Sequence, residues 1–530
     1  IAGMEGSSRI ARTYRNNGDD TFSLIENFVG ISHGAAAFGD YDNDGDLDLV
    51  RQGSDDGSRI THLLSNNGNG SFLDAGNGGL VQVERGDLAW ADYDADGDLD
   101  LLITGDSGSG FIARVYRNNG NSTFTDIGAG LQGVGYRAAA AWGDYDNDGD
   151  PDILLAGFDG GTRHTLIYRN DGGDTFTDIN AGLPAVADAA VAWGDFDNDG
   201  DPDILLAGFD GGTQHSLVYR NDGGDTFSSY LSPFTGVRDA SVAWGDYDGD
   251  GRLDILVAGE NGDGGKTTDI WRNVAAAAAA NSTPSAPGVD PAVVNGTSAT
   301  LSWSAASDAE TPASGLTYNV RIGTTPGGDD IMSAMADAST GLRRVPARGN
   351  VGHVPSWTVT NLPANKSYYY GVQAVDASLG GGAWGSSPGF YIAGPPTVIT
   401  HDLSNFQSNS AQCEGEAPDD GGAPVTAKGL VWSTAPNPTV TSYTGKTDEG
   451  GGFGTFVGTM TPLTAGQTYY VRAYASNTGY TGYGEQRMFA LPMAPPGNAL
   501  DFDGNDDCVL VPDHDDLDLT DSYTVECWFR

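Results

Sequence analysis

Across 530 residues, 72 acidic side chains stand against 26 basic ones, giving a formal charge of −46 and an isoelectric point near 4.1. That balance excludes nucleic acid and anionic membrane surfaces as partners, while 38% hydrophobic and 10% aromatic residues suffice for packed cores rather than a disordered acidic tail. No run approaches the ~18 apolar residues of a membrane span, the three cysteines (Cys413, Cys508 and Cys527) are too few for a disulfide framework, and 79 glycines punctuating short apolar runs predict an all-β chain.

Ile1-Ala2-Gly3 matches Leu155-Ala156-Gly157, and Tyr14-Arg15-Asn16 follows at the interval that separates Gly157 from Tyr168. The expectation is a chain that opens inside a repeat whose acidic block lies upstream of residue 1. Five full units then follow, with their first aspartates at Asp40, Asp92, Asp144, Asp195 and Asp246. Each unit places an aromatic two residues before that aspartate (Phe38, Trp90, Trp142, Trp193, Trp244), then an apolar strand such as Asp-Ile-Leu-Leu-Ala-Gly, then a hairpin of the type Tyr-Arg-Asn…Thr-Phe. Four short strands in about 50 residues predict one blade of a β-propeller per unit, and the regular aromatic column predicts packing between blades.

Each acidic block reads Asp-x-Asp-x-Asp-Gly-x-x-Asp. The first comprises Asp40, Asp42, Asp44, Asp46 and Asp48; the second Asp92, Asp94, Asp96, Asp98 and Asp100; the third Asp144, Asp146, Asp148, Asp150 and Asp152. The fourth comprises Asp195, Asp197, Asp199, Asp201 and Asp203, and the fifth Asp246, Asp248, Asp250, Arg252 and Asp254. Together these loops hold 24 of the 72 acids, a repulsion that needs a neutralising partner. Alternate carboxylates in a tight loop converge on one point, and glycine at the sixth position allows the turn that wraps the loop around it. A hard cation with oxygen ligands fits, and Ca²⁺ tolerates irregular geometry better than Mg²⁺. About five calcium sites are therefore expected, with the seventh residues (Asp46, Asp98, Asp150, Asp201, Arg252) contributing backbone carbonyls. An EF-hand would need glutamate at position 12, where this chain has Arg51, Ile103, Leu155, Leu206 and Val257. Asp and Gly also favour plain turns, but five copies with unbroken spacing weigh against turns alone.

These residues resemble the FG-GAP and VCBS-type repeats of integrin-α-like propellers, with "AWGDYDNDGDPDILLAG" carrying the likeness over residues 1–274. The resemblance implies a calcium-bearing propeller on secreted or surface proteins, expected here to be bacterial. It leaves the ligand open between a polysaccharide and a surface protein.

Residues 275–288, alanine-rich and then proline-rich, read as a linker. Residues 289–395 and 396–493 alternate as strands, and the pairs Leu362/Tyr368 and Leu463/Tyr469 resemble the tyrosine corner of fibronectin type III modules. Both are expected to be spacers. Residues 497–530 resemble the opening strands of a laminin-G-like, concanavalin-type jelly roll that stops mid-domain, in which Cys508 and Cys527 are candidates for pairing.

Two motifs read as decoys. Gly30-Ile31-Ser32-His33-Gly34 satisfies G-x-S-x-G but lacks the following helix of a nucleophile elbow, and Arg85-Gly86-Asp87 sits at the start of a blade strand, where drift between repeats explains it. His164 and His215 occupy equivalent repeat positions, which suits a scaffold. The expected whole is a secreted or surface protein for adhesion or glycan recognition, with no enzyme activity within these residues. The competing readings are the targeting arm of a polysaccharide-degrading enzyme and a passive surface stalk.

Overall fold

The run Asp152-Ile-Leu-Leu-Ala-Gly-Phe158 shows no polar alternation because both of its faces are covered: six of the seven positions of strand Asp152–Phe158 are buried. A strand buried on both sides has to be flanked in its own sheet and packed above and below. The computed structural model, which describes residues 2–5, 8–17, 21–68, 70–230, 233–274, 281–333, 336–337, 339–343 and 347–492, shows how. In the third repeat the strands Gly135–Gly143, Asp152–Phe158, Arg163–Asn170 and Phe176–Asp178 form one antiparallel sheet in chain order. The second and fourth repeats build the same four-stranded unit. The first repeat shares the long strand Phe22–Gly39 with the preceding hairpin, Ala2–Glu5 and Ser8–Asn16. The fifth shows three strands, Val237–Gly245, Asp254–Asn261 and Lys266–Trp271. No helix occurs among the described residues.

Neighbouring repeats are joined by the aromatic column. Trp90 stacks on Tyr41, Trp142 on Tyr93, Trp193 on Tyr145 and Trp244 on Phe196, with ring centroids 6.2–6.4 Å apart and nearly parallel planes. A phenylalanine of the tryptophan's own repeat closes each of the first three contacts from the side: Phe124, Phe176 and Phe227. The four tryptophans fill the space between sheets as the repeat spacing predicted, whereas Phe38, the first of the column, is 53% exposed. Gly143 makes room for this: a Cβ there would lie 2.4 Å from the Trp193 ring.

Two sandwiches follow, each with two sheets sharing one core. In the first, the sheet Val293–Asn295, Ser298–Ser302 and Ser356–Val359 faces the sheet built on Thr317–Gly323 and Lys366–Val375, with Leu301, Trp303, Tyr318, Val320, Trp357 and Val372 buried between them. The Tyr368 hydroxyl donates to the Pro363 carbonyl at 2.8 Å, the bond a tyrosine corner makes. In the second, Thr397–Ser404, Ala411–Asp419 and Gly454–Met460 pair as one sheet, and Ala427–Ser433 pairs with Thr468–Ser476 in the other. Leu430, Trp432, Phe456 and Val471 are in its core, together with the buried Cys413 thiol. One compact unit holds the repeats and the first sandwich, and another holds most of the second. Residues 281–288 already lie along the first sandwich, where Ser285 N donates to Ser307 O and Gly288 N to the Ser304 hydroxyl. The expected jelly-roll start, 497–530 with Cys508 and Cys527, lies outside the described residues.

Because Trp193 is only 7% exposed and packs on Tyr145 and Phe227, Trp193→Ala is expected to cost ~3–5 kcal/mol. The 61% exposed Leu73 provides the control, since Leu73→Ala should stay within ~0.5 kcal/mol. Thermal melts of the two variants beside the parent chain check both.

Candidate metal centres

Each acidic loop joins the first strand of a repeat to the second, and its own carboxylates hold it in shape. In the third loop, Asp144 Oδ1 accepts from Asp148 N and Oδ2 from Gly149 N at 3.0 and 3.1 Å. Asp148 Oδ1 accepts from Asp150 N. Asp152, fully buried, accepts from Tyr145 N across the loop and from Asn170 N on the third strand. The first-position bonds recur with the same register at Asp40, Asp92, Asp195 and Asp246. The ninth-position bonds recur at Asp48, Asp100, Asp203 and Asp254. The turn needs a left-handed residue at position four, where Asn43, Ala95, Asn147 and Asn198 all have φ near 58°, and again at the sixth-position glycines, such as Gly149 at φ 101°.

This folding brings carboxylate oxygens together. One oxygen from each of Asp40, Asp42 and Asp48 lies within 4.8 Å of the others; so do those of Asp92, Asp94 and Asp96, of Asp144, Asp146 and Asp152, of Asp195, Asp197 and Asp199, and of Asp246, Asp248 and Asp250. Two oxygens that share a cation at ~2.4 Å can be no more than ~4.8 Å apart, a limit that every triad meets. The Oδ1 atoms of Asp42 and Asp197 are buried without a hydrogen-bond partner, and a buried carboxylate oxygen left so is costly. The donor set is all oxygen, which suits Ca²⁺.

Two of the seventh-position carboxylates tie their loop to the preceding one instead of joining a triad. Asp98 accepts from Asn43 of the preceding loop and Asp201 from Asn147, while Arg252 pairs with Asp250. Sequence reasoning passed over these position-four asparagines, which tie one loop to the next. It also passed over the asparagine of Tyr-Arg-Asn: Asn118, Asn170, Asn221 and Asn273 each donate Nδ2 to the carbonyl at position two of the preceding loop. Their interval after the ninth aspartate, 18 residues in three repeats and 19 in the last, was the available signal.

The charge of the loops is confined rather than solvated. Burial pushes the Asp48, Asp100, Asp152 and Asp203 carboxyls up to about 9, although backbone N–H donors partly offset it. Burial likewise raises Asp92, Asp144 and Asp195 to about 7, with Arg348 easing the shift at Asp144. The fifth loop differs. Arg272 pairs with both Asp248 and Asp250, and Arg252 with Asp250, so cations already stand on two of its three converging carboxylates. The equivalent Arg117 and Arg169 instead reach Asp174 and Asp225 on the hairpin of the next repeat.

Three of the loops also seat the first sandwich. The Trp357 indole donates to Asn43 Oδ1 at 3.0 Å and Thr360 N to the Asn43 carbonyl at 2.7 Å. The Ser378 hydroxyl lies 2.8 Å from Asn198 Oδ1 and 3.2 Å from Asp195 Oδ2, and Asp195 N donates to Ala377 O. His353 Nε2 stands 3.7 Å from Asp144 Oδ2.

The two decoys resolve structurally. Ser32 is buried within the strand Phe22–Gly39, which runs on to the first loop without a helix. In Arg85-Gly86-Asp87 the aspartate accepts from Leu88 N and Ala140 N, and a Cβ on Gly86 would lie 1.9 Å from the Thr104 carbonyl, so the tripeptide is built into the wall of the repeats. His164 and His215 each face the aspartate five residues earlier, Asp159 and Asp210.

The model of the FG-GAP-like repeat matches residues 40–103, 92–155, 144–206 and 195–257, each match running from one loop through the next. Cartilage acidic protein 1 of Xenopus tropicalis is 28% identical over 174 residues, and that of Mus musculus 27%. Each alignment covers 30% of this chain and 26% of the relative, so the chain spans about a quarter of these relatives' length. A crystal structure of chicken CNTN1 FN1-FN3 domains aligns over 57% of this chain and 98% of its own at 11% identity, with a TM-score of 0.22, too low to establish a shared fold. Residues 40–257 thus carry four FG-GAP-like repeats.

Proposed function

We propose that the repeats form a calcium-binding β-propeller serving adhesion or glycan recognition outside the cell, with the sandwiches as spacers. The observation that carries this reading is the convergence of three carboxylates in every loop, two of them with buried oxygens that no protein donor satisfies. The relatives' name joins acidity to cartilage, which agrees with a place outside the cell. A role without catalysis accords with the repetition of the loops, since a fivefold site is a scaffold feature rather than a unique centre. The ligands proposed are the first, third, fifth and ninth aspartates of each loop with the seventh carbonyl. Arg252 and Arg272 make the fifth site the weakest.

Three measurements follow. Protons compete with calcium at these carboxyls. Their values lie above the ordinary 3.8, so without metal the folded loops are favoured by protonation. That stability is fully present below about 4 and is lost as the pH rises through about 7 and then about 9. In chelator the first thermal transition should fall from pH 5 to pH 8; in calcium at ~100 times the dissociation constant it should recover, by ~2.7 kcal/mol per site. Superimposable melts with and without chelator would contradict calcium binding.

Counting bound calcium separates the loops. Asp146→Ala should lower the count by about one and Arg272→Gln should raise the affinity of the weakest site, whereas five equal sites in the parent chain would overturn the role given to Arg272. Finally, since Asn43, Asp195 and Asn198 hold the first sandwich, chelation should speed amide hydrogen exchange at Thr360 and at Asp195, whose N–H groups cross that seat; unchanged exchange would separate the seat from the ions.

A further inference from the structure

Seven residues before the first aspartate of each loop stand His33, Arg85, Arg137, Asp188 and Asp239. All five are left-handed, with φ between 48° and 61°, and in four repeats the pairing of the first strand with the second slips at this point, between Ser32 and Ala35, Gly135 and Ala139, Ala187 and Ala190, and Arg238 and Ser241. Left-handed backbone is uncommon for arginine, and a bulge re-aims the side chain it carries. Here the bulges turn these side chains toward one cavity of about 400 Å³, which they line with Tyr136 and Arg238. A second cavity of about 450 Å³, walled mainly by small residues of all five first strands, shares His33, Arg85 and Arg137 with it. The acidic loops repeat almost unchanged while this position runs His, Arg, Arg, Asp, Asp, so packing does not dictate it. In a chain of −46, this position places arginines on two successive repeats, Arg85 and Arg137.

The ring's charges are not all spent. Arg137 pairs with Asp239 and Arg238 with Glu260. Arg85 and Asp188 have no ion-pair partner among the described residues. Arg85 has its guanidinium 5.5 Å from the centre of the Tyr136 ring and a buried Nε without a hydrogen-bond partner, and Tyr136 is 44% exposed. An unspent guanidinium takes a carboxylate in a bidentate pair. Tyr136, packed by Phe111 and Phe158 and yet 44% exposed, offers apolar surface beside it, and an aspartate without an ion pair accepts from hydroxyls. The volume is in the range of small-ligand pockets.

We propose that this cavity binds a carboxylated sugar, a uronate residue, with Arg85 on the carboxylate, Tyr136 under the sugar ring and Asp188 toward its hydroxyls. This rests on the glycan-recognition side of the function proposed above and names its ligand class. The test titrates the full chain with glucuronate, glucose and glycine, in calcium and in chelator, with calcium binding measured on the same samples. Glucuronate should bind at least about tenfold more tightly than glucose. Arg85→Gln should lower glucuronate affinity about tenfold or more, with Arg85→Lys restoring part of it, and Tyr136→Ala should weaken both sugars. Melting curves of the variants that match the parent show that the fold is kept. No glucuronate binding in calcium, or an affinity untouched by Arg85→Gln in a folded chain, overturns the proposal, and glycine binding as tightly as glucuronate overturns the sugar. Absent calcium binding in the same samples counts against the loops, not against the cavity.

Discussion

The ninth aspartate of each acidic loop is the tie on which the repeats depend. Asp152 is buried and accepts two backbone N–H groups, one from its own loop and one from the third strand. The residue that donates the second bond, Asn170, reaches with its side chain to the preceding loop. A carboxylate is suited to this, since it accepts in several directions at once and bonds to a charged acceptor are stronger than neutral ones. The cost is a charge out of water beside others of its sign. That cost is carried in every repeat, and the proposed cation in the same place would offset it.

From this tie the other features follow in order. The loop closes because the first aspartate gathers the amides of positions five and six; where position four is asparagine, as at Asn43 and Asn147, it locks to the next loop; and the tryptophan two residues before it lands on the aromatic at position two of the preceding loop. Electrostatics and hydrophobic packing therefore act on the same junction between repeats. The first sandwich uses that junction too, through Trp357 at Asn43 and Ser378 at Asn198, so the loops bear on the placement of a second module as well as on the repeats.

Much of this was legible in the sequence because it is periodic. The loop spacing, the aromatic column and the four-stranded unit each depend on residues close in the chain and recur several times, so one copy checks another. What stayed hidden depends on contacts that occur once or far apart. Trp357 meets Asn43 across 314 residues, and no local pattern announces it. Arg272, in the Trp-Arg-Asn of the fifth repeat, turns back onto Asp248 and Asp250, and that choice depends on which carboxylates lie within reach. The ring of His33, Arg85, Arg137, Asp188 and Asp239 escaped because nothing in residue type reveals a bulge; only the backbone shows that these unlike residues share one place. Arg85-Gly86-Asp87 was read as drift between repeats, and nothing in the sequence showed that its arginine lines a cavity.

The most direct test of the account is anomalous scattering from crystals of the full chain grown in calcium, recorded at a long wavelength. The account predicts anomalous peaks inside the first four loops, each ~2.3–2.6 Å from oxygens of the first and third aspartates, with the weakest density in the fifth loop beside Arg272. Loops that keep the same shape with no anomalous peak would show that their carboxylates are only the fastenings of a turn, and would contradict it.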